Sequence, residues 1–249
     1  MDVSLMKITY LCTQEQYAMI KKLLTTLVLV LSTFVAVAQE PATFKFLGIP
    51  VDGKKTNFIF QLKQKGFTYD AKDDLLTGKF NGMESNIRIS ENYGKVDRIF
   101  VADANTCDEA QIRIRYNTLL QQFKDNDKYL ELDENQPIPE DEDISFEMSV
   151  HSKTYDAAFY FNPIYGWTDE DNMKMAESLR AELEKQIESG EYKDPSEEKS
   201  TQLLQVMAMQ KLIGMLEGQV WFRIVEHYGE YFIALYYDNL KNRPNGEDL

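Results

Sequence analysis

Residues 75–90 read LLTGKFNGMESNIRIS, and this stretch decides the fold. Asn81-Gly82 is the strongest two-residue signal for a β-hairpin, because both turn positions require a positive φ. After the turn, apolar and polar residues alternate, which is typical of a strand with one buried face. The stretch therefore predicts two antiparallel strands, Leu75–Phe80 and Met83–Ser90, on one side of a core.

A short motif near this hairpin occurs twice in the chain. Arg88-Ile89-x-Glu91-x-Tyr93-Gly94 recurs as Arg223-Ile224-x-Glu226-x-Tyr228-Gly229, and each copy lies at a predicted hairpin. An aspartate follows each glycine by nine residues, Asp103 in the first copy and Asp238 in the second. The hypothesis is a duplicated unit of one helix packed on an antiparallel sheet, over residues 39–105 and 106–249.

Helical patterns complete an α+β fold. Apolar periodicity predicts a first helix over Lys54–Lys65, and Thr106-Cys107-Asp108-Glu109 fits a capping box that starts a second. The predicted apolar stripe of this second helix consists of Ile112, Tyr116, Leu119, Leu120 and Phe123. The second half also contains a predicted helical-hairpin insertion, residues 168–216, whose first helix has Thr168 as its predicted N-cap. The remaining predicted strands are Thr43–Ile49, Lys95–Ala102, Ser145–Val150, Thr154–Phe161, Gln219–Glu226 and Glu230–Asp238.

The N-terminal region has the pattern of an export signal. Lys21-Lys22, the apolar run Leu23–Val37 and the small residues Ala36-Val37-Ala38 form a charged region, a hydrophobic region and a cleavage site. We expect residues 19–38 to be a signal peptide, residues 1–18 to be a gene-model extension, and the mature protein to begin at Gln39. The expected location is the periplasm or the outside of the cell.

Composition excludes some partners. The chain has 41 acidic and 27 basic residues and a net charge of −14. Such a charge repels phosphate backbones and anionic lipid, so we expect neither nucleic-acid binding nor membrane-surface binding. After the leader no long apolar run remains, so no membrane span is predicted.

No catalytic motif or cofactor motif is present. Cys107 is the only cysteine after the leader, and it is predicted at the start of a capped helix beside three acidic residues that disfavour a thiolate. His151 and His227 are the only histidines, and neither accompanies a nucleophile motif or a zinc-ligand spacing. We interpret all three as structural or surface residues and predict no catalytic residue, no metal site and no cofactor.

Two alternatives involve carboxylates. The segment Asp125–Glu147 is the most acidic region and could offer oxygen ligands to calcium, but it lacks the glycine and the distal glutamate of an EF-hand loop. A solvated acidic loop is the favoured interpretation. A carboxylate-dependent hydrolase could also use two of the many acidic residues, because such pairs are defined by their separation in space.

An aromatic segment supplies the candidate binding residues. Tyr155, Phe159 and Phe161 are expected in the core. Tyr160, Tyr165 and Trp167 are the candidates for contact with a protein partner or a glycan.

The architecture resembles the tandem helix-on-sheet arrangement of β-lactamase inhibitory proteins and PepSY-type domains. Residues 46–53 (FLGIPVDG) and the C-terminal residues 236–239 (YYDN) and 245–249 (NGEDL) resemble uncharacterised secreted proteins of Bacteroidales. The resemblance implies export and no particular chemistry. The function expected from the sequence is therefore that of an exported, non-enzymatic binding protein, with a hydrolase or a calcium-stabilised structural module as the alternatives.

Overall fold

The computed structural model describes residues 43–190, 192 and 196–243. The proposed signal peptide and the extension before it lie outside these residues. By its contacts the chain divides into two compact units, one with residues 166–207 and one with residues 42–165 and 208–249. The second of these units contains all ten strands of the described residues.

The helices and strands are as follows. The helices are α1 (Lys55–Gln64), α2 (Glu109–Lys124), α3 (Ile144–Val150), α4 (Asp169–Glu188) and α5 (Glu197–Gly214). The strands are β1 (Lys45–Phe46), β2 (Ile49–Pro50), β3 (Thr68–Asp70), β4 (Leu75–Phe80), β5 (Met83–Asn92), β6 (Lys95–Asp103), β7 (Tyr129–Leu130), β8 (Asp156–Phe161), β9 (Gly218–His227) and β10 (Glu230–Asn239).

Eight strands form one antiparallel sheet in the order β3-β4-β5-β6-β10-β9-β8-β7. In each half a helix precedes four strands that pair in chain order, α1 before β3–β6 and α2 before β7–β10. The two halves meet where β6 pairs with β10. The α+β fold class is confirmed, whereas the duplication of a helix-on-sheet unit stays a prediction.

Helices α1 and α2 share one core with a single face of the sheet. The five residues predicted as the apolar stripe of α2 are all buried: Ile112, Tyr116, Leu119, Leu120 and Phe123. Phe58 and Leu62 of α1 are buried as well. Tyr155, Phe159 and Phe161 also belong to this core, as predicted. Burial of this apolar surface is the main stabilising contribution to the fold.

Three tight turns join consecutive strands of the eight-stranded sheet: β4 to β5, β5 to β6 and β9 to β10. Asn81-Gly82 has φ values of 48° and 80°, which confirms the predicted β4–β5 hairpin. The turns at residues 93–94 and 228–229 also have a positive φ at both positions. Glycine and asparagine adopt this conformation readily, whereas tyrosine adopts it at a cost.

A β-bulge distinguishes the two halves of the sheet. In the β5–β6 pair the register shifts after Ser90, and Asp97 is left without a strand partner. The β9–β10 pair has no such shift. Asp103 therefore lies on the helix side, where it pairs with Arg115 at 3.1 Å, whereas Asp238 lies on the opposite face. The two aspartates match in sequence position but not in orientation.

Two predicted strands are wrong. The predicted single strand Thr43–Ile49 is instead a short hairpin of β1 and β2. Residues 145–150 form helix α3 because the Asp143 carboxylate accepts a hydrogen bond from Phe146 N and caps a helix. The alternation of apolar and polar residues in this segment is short enough to fit either structure. His151 lies at the C-terminal end of α3 and is exposed.

The predicted capping box at α2 is also wrong in detail. The N-cap is Asp108, whose carboxylate accepts from Gln111 N at 2.8 Å. Glu109 instead accepts hydrogen bonds from Arg113 and from Ile144 N. Cys107 precedes the helix and forms a β-bridge with Tyr231.

The other unit contains α4 and most of α5. Thr168 caps α4 as predicted, because its hydroxyl accepts from Asp171 N while the Asp171 carboxylate accepts from Thr168 N. Leu179 and Leu183 are the buried residues of α4. These two helices occupy the predicted insertion between β8 and β9.

Candidate functional site

The face of the sheet opposite α1 and α2, here called the distal face, carries the most distinctive side chains. Along β9, Val220, Phe222 and Ile224 point into the core. Trp221 and Arg223 alternate with them and therefore lie on the distal face. The register of β10 with β9 and β6 places Tyr236 opposite both Trp221 and Phe100.

Four residues of the distal face form a continuous row, here called the aromatic–arginine row. They are Arg98 on β6, Tyr236 on β10, and Trp221 and Arg223 on β9. The rings of Trp221 and Tyr236 stack with their centroids 3.8 Å apart and their planes 7° apart. The guanidinium carbon of Arg98 lies 5.3 Å from the Tyr236 centroid, and that of Arg223 lies 5.6 Å from the Trp221 centroid. Both distances fall in the range of cation–π interactions.

Asp238 holds one end of the row in place. Its side chain is fully buried, yet its carboxylate accepts two hydrogen bonds from Arg98, one from the Trp221 indole N–H at 2.8 Å and one from Arg243. The hydrogen bond with Asp238 raises the pKa of Arg98. A buried carboxylate is costly unless charged donors compensate it, and here two guanidinium groups do so.

Arg223 closes the other end of the row and is more accessible. Its Nε donates to the Asp156 carboxylate at 2.6 Å, and this hydrogen bond raises the pKa of Arg223. The side chain keeps 42% of its surface exposed. Within the described chain its two terminal nitrogens have no hydrogen-bond partner. They remain free to donate to an acidic group.

The three aromatic residues predicted as contact residues lie in different places. Tyr160 of β8 lies on the distal face, diagonally across from Trp221, and its hydroxyl accepts from Gln219 at 3.3 Å. Tyr165 is half-buried, with Lys128 Nζ 5.8 Å from its ring centroid. Trp167 is half-buried and belongs to the other compact unit. The structure therefore places only Tyr160 on the same face as the row.

The sequence prediction did not include any residue of the row. Two signals could have indicated it. Gln219, Trp221 and Arg223 alternate with core residues along one strand, which marks them as a second face. The repeated motif also contains Arg223.

Neither histidine nor the cysteine is part of this site. His151 is exposed and lies 3.0 Å from Glu147, and His227 is exposed beside the last turn. Burial, followed by the nearby charges of Asp103 and Asp108, raises the pKa of the Cys107 thiol. A raised thiol pKa opposes nucleophilic reactivity.

The carboxylates offer no support for the two alternatives. A general acid needs a raised pKa, but every described carboxyl group with a perturbed pKa is shifted downward. These groups are Asp52, Asp74, Glu131, Glu142 and Asp171. Among the described residues, no three His, Cys, Asp or Glu side chains converge as metal ligands would. In the acidic segment, Glu131 pairs with Lys124 and Glu142 with Lys153.

Comparison with known proteins gives no match: no protein-family model, no curated protein and no solved structure is significantly similar to this chain. No helix in the described part of the chain has the length and apolar character needed to cross a membrane.

Proposed function

We propose that this protein is an exported, non-enzymatic binding protein that contacts a partner protein through its distal face. The observation that carries the proposal is the aromatic–arginine row. Tryptophan, tyrosine and arginine are the residue types most enriched among those that dominate the free energy of protein–protein binding. Here they form one ordered group whose geometry is fixed by a buried carboxylate.

The geometry of the row favours a protein over a glycan. Sugar rings stack on the open face of an aromatic side chain. Trp221 and Tyr236 cover one face of each other, and the guanidinium groups of Arg223 and Arg98 lie near the same rings. The groups of the row that a partner can contact are therefore the edges of the rings and the N–H groups of the arginines. Ring edges suit apolar side chains of a protein surface, and arginine N–H groups suit its carboxylates.

The proposed location outside the cytoplasm rests on the N-terminal pattern of residues 19–38 and on the acidic composition. N-terminal sequencing of the protein isolated from its own host tests it separately. A mature N-terminus at Gln39 is the expected result. An intact N-terminal segment on the isolated protein would contradict export. It would not affect the proposed binding surface, which is tested separately.

Site-specific photo-crosslinking tests the binding surface. A photoreactive residue at position 100, whose native Phe100 ring lies 5.0 Å from that of Tyr236, should capture a defined protein in living cells. Adding Arg223→Glu should abolish the adduct, because the substitution reverses the charge of the row. The matched control Arg180→Glu changes the same charge on an exposed residue of α4 and should leave the adduct intact.

A second crosslinking position makes the result specific. Ile114 lies on α2 and is 67% exposed, so it samples the helix side of the same unit. A photoreactive residue there should not yield the position-100 adduct. An identical adduct from both positions, or none from position 100, would show that the distal face is not the binding surface.

A further inference from the structure

A cleft on the helix side of the sheet has the features of a small-molecule site. It lies between α2 and the strands and has a volume of about 170 Å³. Its apolar wall consists of Phe80, Leu119, Phe123 and Leu235. This wall is on the side of the sheet opposite the aromatic–arginine row, so the cleft is independent of the proposed protein-binding surface.

Two tyrosines give the cleft its polarity. Tyr129 and Tyr237 both line it, and Tyr237 is only 7% exposed. Neither hydroxyl has a hydrogen-bond partner anywhere in the described chain. A hydroxyl that faces a cleft without a protein partner is normally satisfied by water or by a ligand. Burial raises the pKa of Tyr129 to about 12 and also raises the pKa of Tyr237. Both are therefore hydrogen-bond donors at neutral pH.

The size and the lining restrict the occupant. A protein cavity of about 150 Å³ with an apolar lining is large enough to hold benzene, so this cleft can hold one substituted aromatic ring. Among the described residues that line the cleft, none carries a charge. An ionised ligand would lose its hydration there without compensation, which favours a neutral molecule.

The mouth of the cleft is bounded by amide side chains. Asn81 in the β4–β5 turn donates through Nδ2 to Gln122 Oε1 of α2 at 2.9 Å. Both residues are part of the cleft lining, and this hydrogen bond is exposed. A ligand that enters between these two side chains exchanges one solvent-accessible hydrogen bond, which costs little.

We infer that this cleft binds a neutral, single-ring aromatic molecule whose hydrogen-bond acceptor is held by the hydroxyls of Tyr129 and Tyr237. The wall of phenylalanine and leucine side chains contacts the ring, and the tyrosines bind a carbonyl or ether oxygen. The apolar contacts supply most of the affinity, while the two hydroxyls select the ligand.

Titration of the full protein with acetophenone, followed by NMR, tests this inference. Saturable shifts of residues that line the cleft are expected. Toluene, which has the ring without the acceptor, should bind about fivefold more weakly for each hydroxyl engaged, and benzoate should not bind. Tyr129→Phe and Tyr237→Phe should each weaken acetophenone about fivefold and leave toluene unchanged. Tyr228→Phe removes a hydroxyl from an exposed turn and serves as the control.

Three results would overturn the inference. The first is the absence of saturable shifts, which means that water alone fills the cleft. The second is equal binding of toluene and acetophenone, which excludes a role for the hydroxyls. The third is unchanged acetophenone binding in both tyrosine variants, with native spectra proving that they are folded.

Discussion

Arg98 and Asp238 are directly opposite each other on β6 and β10, and the guanidinium donates to both carboxylate oxygens, at 2.5 Å and 3.0 Å. The pair lies at the junction of the two halves of the sheet. It also orients Trp221, whose indole N–H donates to the same carboxylate. One buried carboxylate thus links the fold to the proposed binding surface.

Replacing Asp238 with asparagine should lower the free energy of unfolding by about 2 kcal/mol, because a neutral amide with one acceptor oxygen cannot replace all the charge-assisted hydrogen bonds that the buried carboxylate accepts from Arg98 and Arg243. Urea unfolding followed by circular dichroism measures the change. Glu84→Gln is the matched control, since Glu84 is 54% exposed and lies 3.7 Å from Lys79. The control should change the stability by less than about 0.5 kcal/mol. Equal effects of the two substitutions would show that the ion pair of Asp238 adds nothing to the stability of the fold.

Tyr228→Asn should raise the free energy of unfolding by about 0.5–1 kcal/mol. Tyr228 has a φ of 54° at the first position of a tight turn and is 93% exposed, so it has unfavourable backbone geometry and little packing. The reciprocal change Asn81→Tyr in the β4–β5 turn should destabilise the protein. Denaturation midpoints of the two variants measure this. A destabilised Tyr228→Asn would show that the tyrosine makes a structural contribution.

Gly218→Ala should destabilise the protein by about 1–3 kcal/mol. A Cβ atom at this position would lie 2.3 Å from Cγ of the buried Phe44, so the ring would have to move in a packed core. Gly214→Ala is the control, because no atom lies within 4 Å of its added Cβ. Thermal unfolding of the two variants separates a steric effect from a general effect of replacing glycine. An unchanged stability of the Gly218→Ala variant would contradict the close approach of Gly218 to the Phe44 ring.

Stability should fall as the pH rises above about 10. Burial raises the pKa of Tyr129 from 10.0 to about 12, so between these values the unfolded state loses a proton that the folded state keeps. The free energy of unfolding therefore falls by about 1.4 kcal/mol per pH unit for each such tyrosine. Below the pKa of tyrosine in the unfolded state there is no effect, because both states keep the proton. The pKa values of Tyr116, Tyr155 and Tyr237 are raised as well.

The Tyr129→Phe variant isolates one of these contributions. Its free energy of unfolding should decline less steeply with pH over the same range, by about 1.4 kcal/mol per unit. Tyr228→Phe should retain the slope of the parent, because this side chain is exposed. Urea unfolding at several alkaline pH values provides both slopes. Indistinguishable slopes for the three proteins would contradict a raised pKa of the half-buried Tyr129 in the folded state.

Most of the secondary structure followed from local patterns. Asn81-Gly82 predicted its hairpin because few residues other than glycine and asparagine adopt a positive φ at little cost. The five-residue stripe of α2 predicted its buried face because a helix repeats every 3.6 residues. Residues 145–150 were assigned wrongly because six residues are too few for periodicity to separate a helix from a strand.

The candidate site could be predicted only in part. The alternation along β9 identifies Trp221 and Arg223 as members of one face, but sequence alone does not identify the strands beside them. Tyr236 and Arg98 join the row only because β10 pairs with both β9 and β6. The two tyrosines of the cleft are 108 residues apart and meet only in the folded protein.

The sequence by itself determined the α+β class, the hairpins and the stripe of α2, because turn geometry and periodicity are properties of neighbouring residues. It also determined the excess of acidic over basic residues. Only the tertiary structure decided that Asp103 and Asp238 point to opposite faces, because the bulge at Asp97 reverses the alternation of β6. A one-residue shift exchanges the two faces of a strand, and its consequence for a site appears only when the strands are paired.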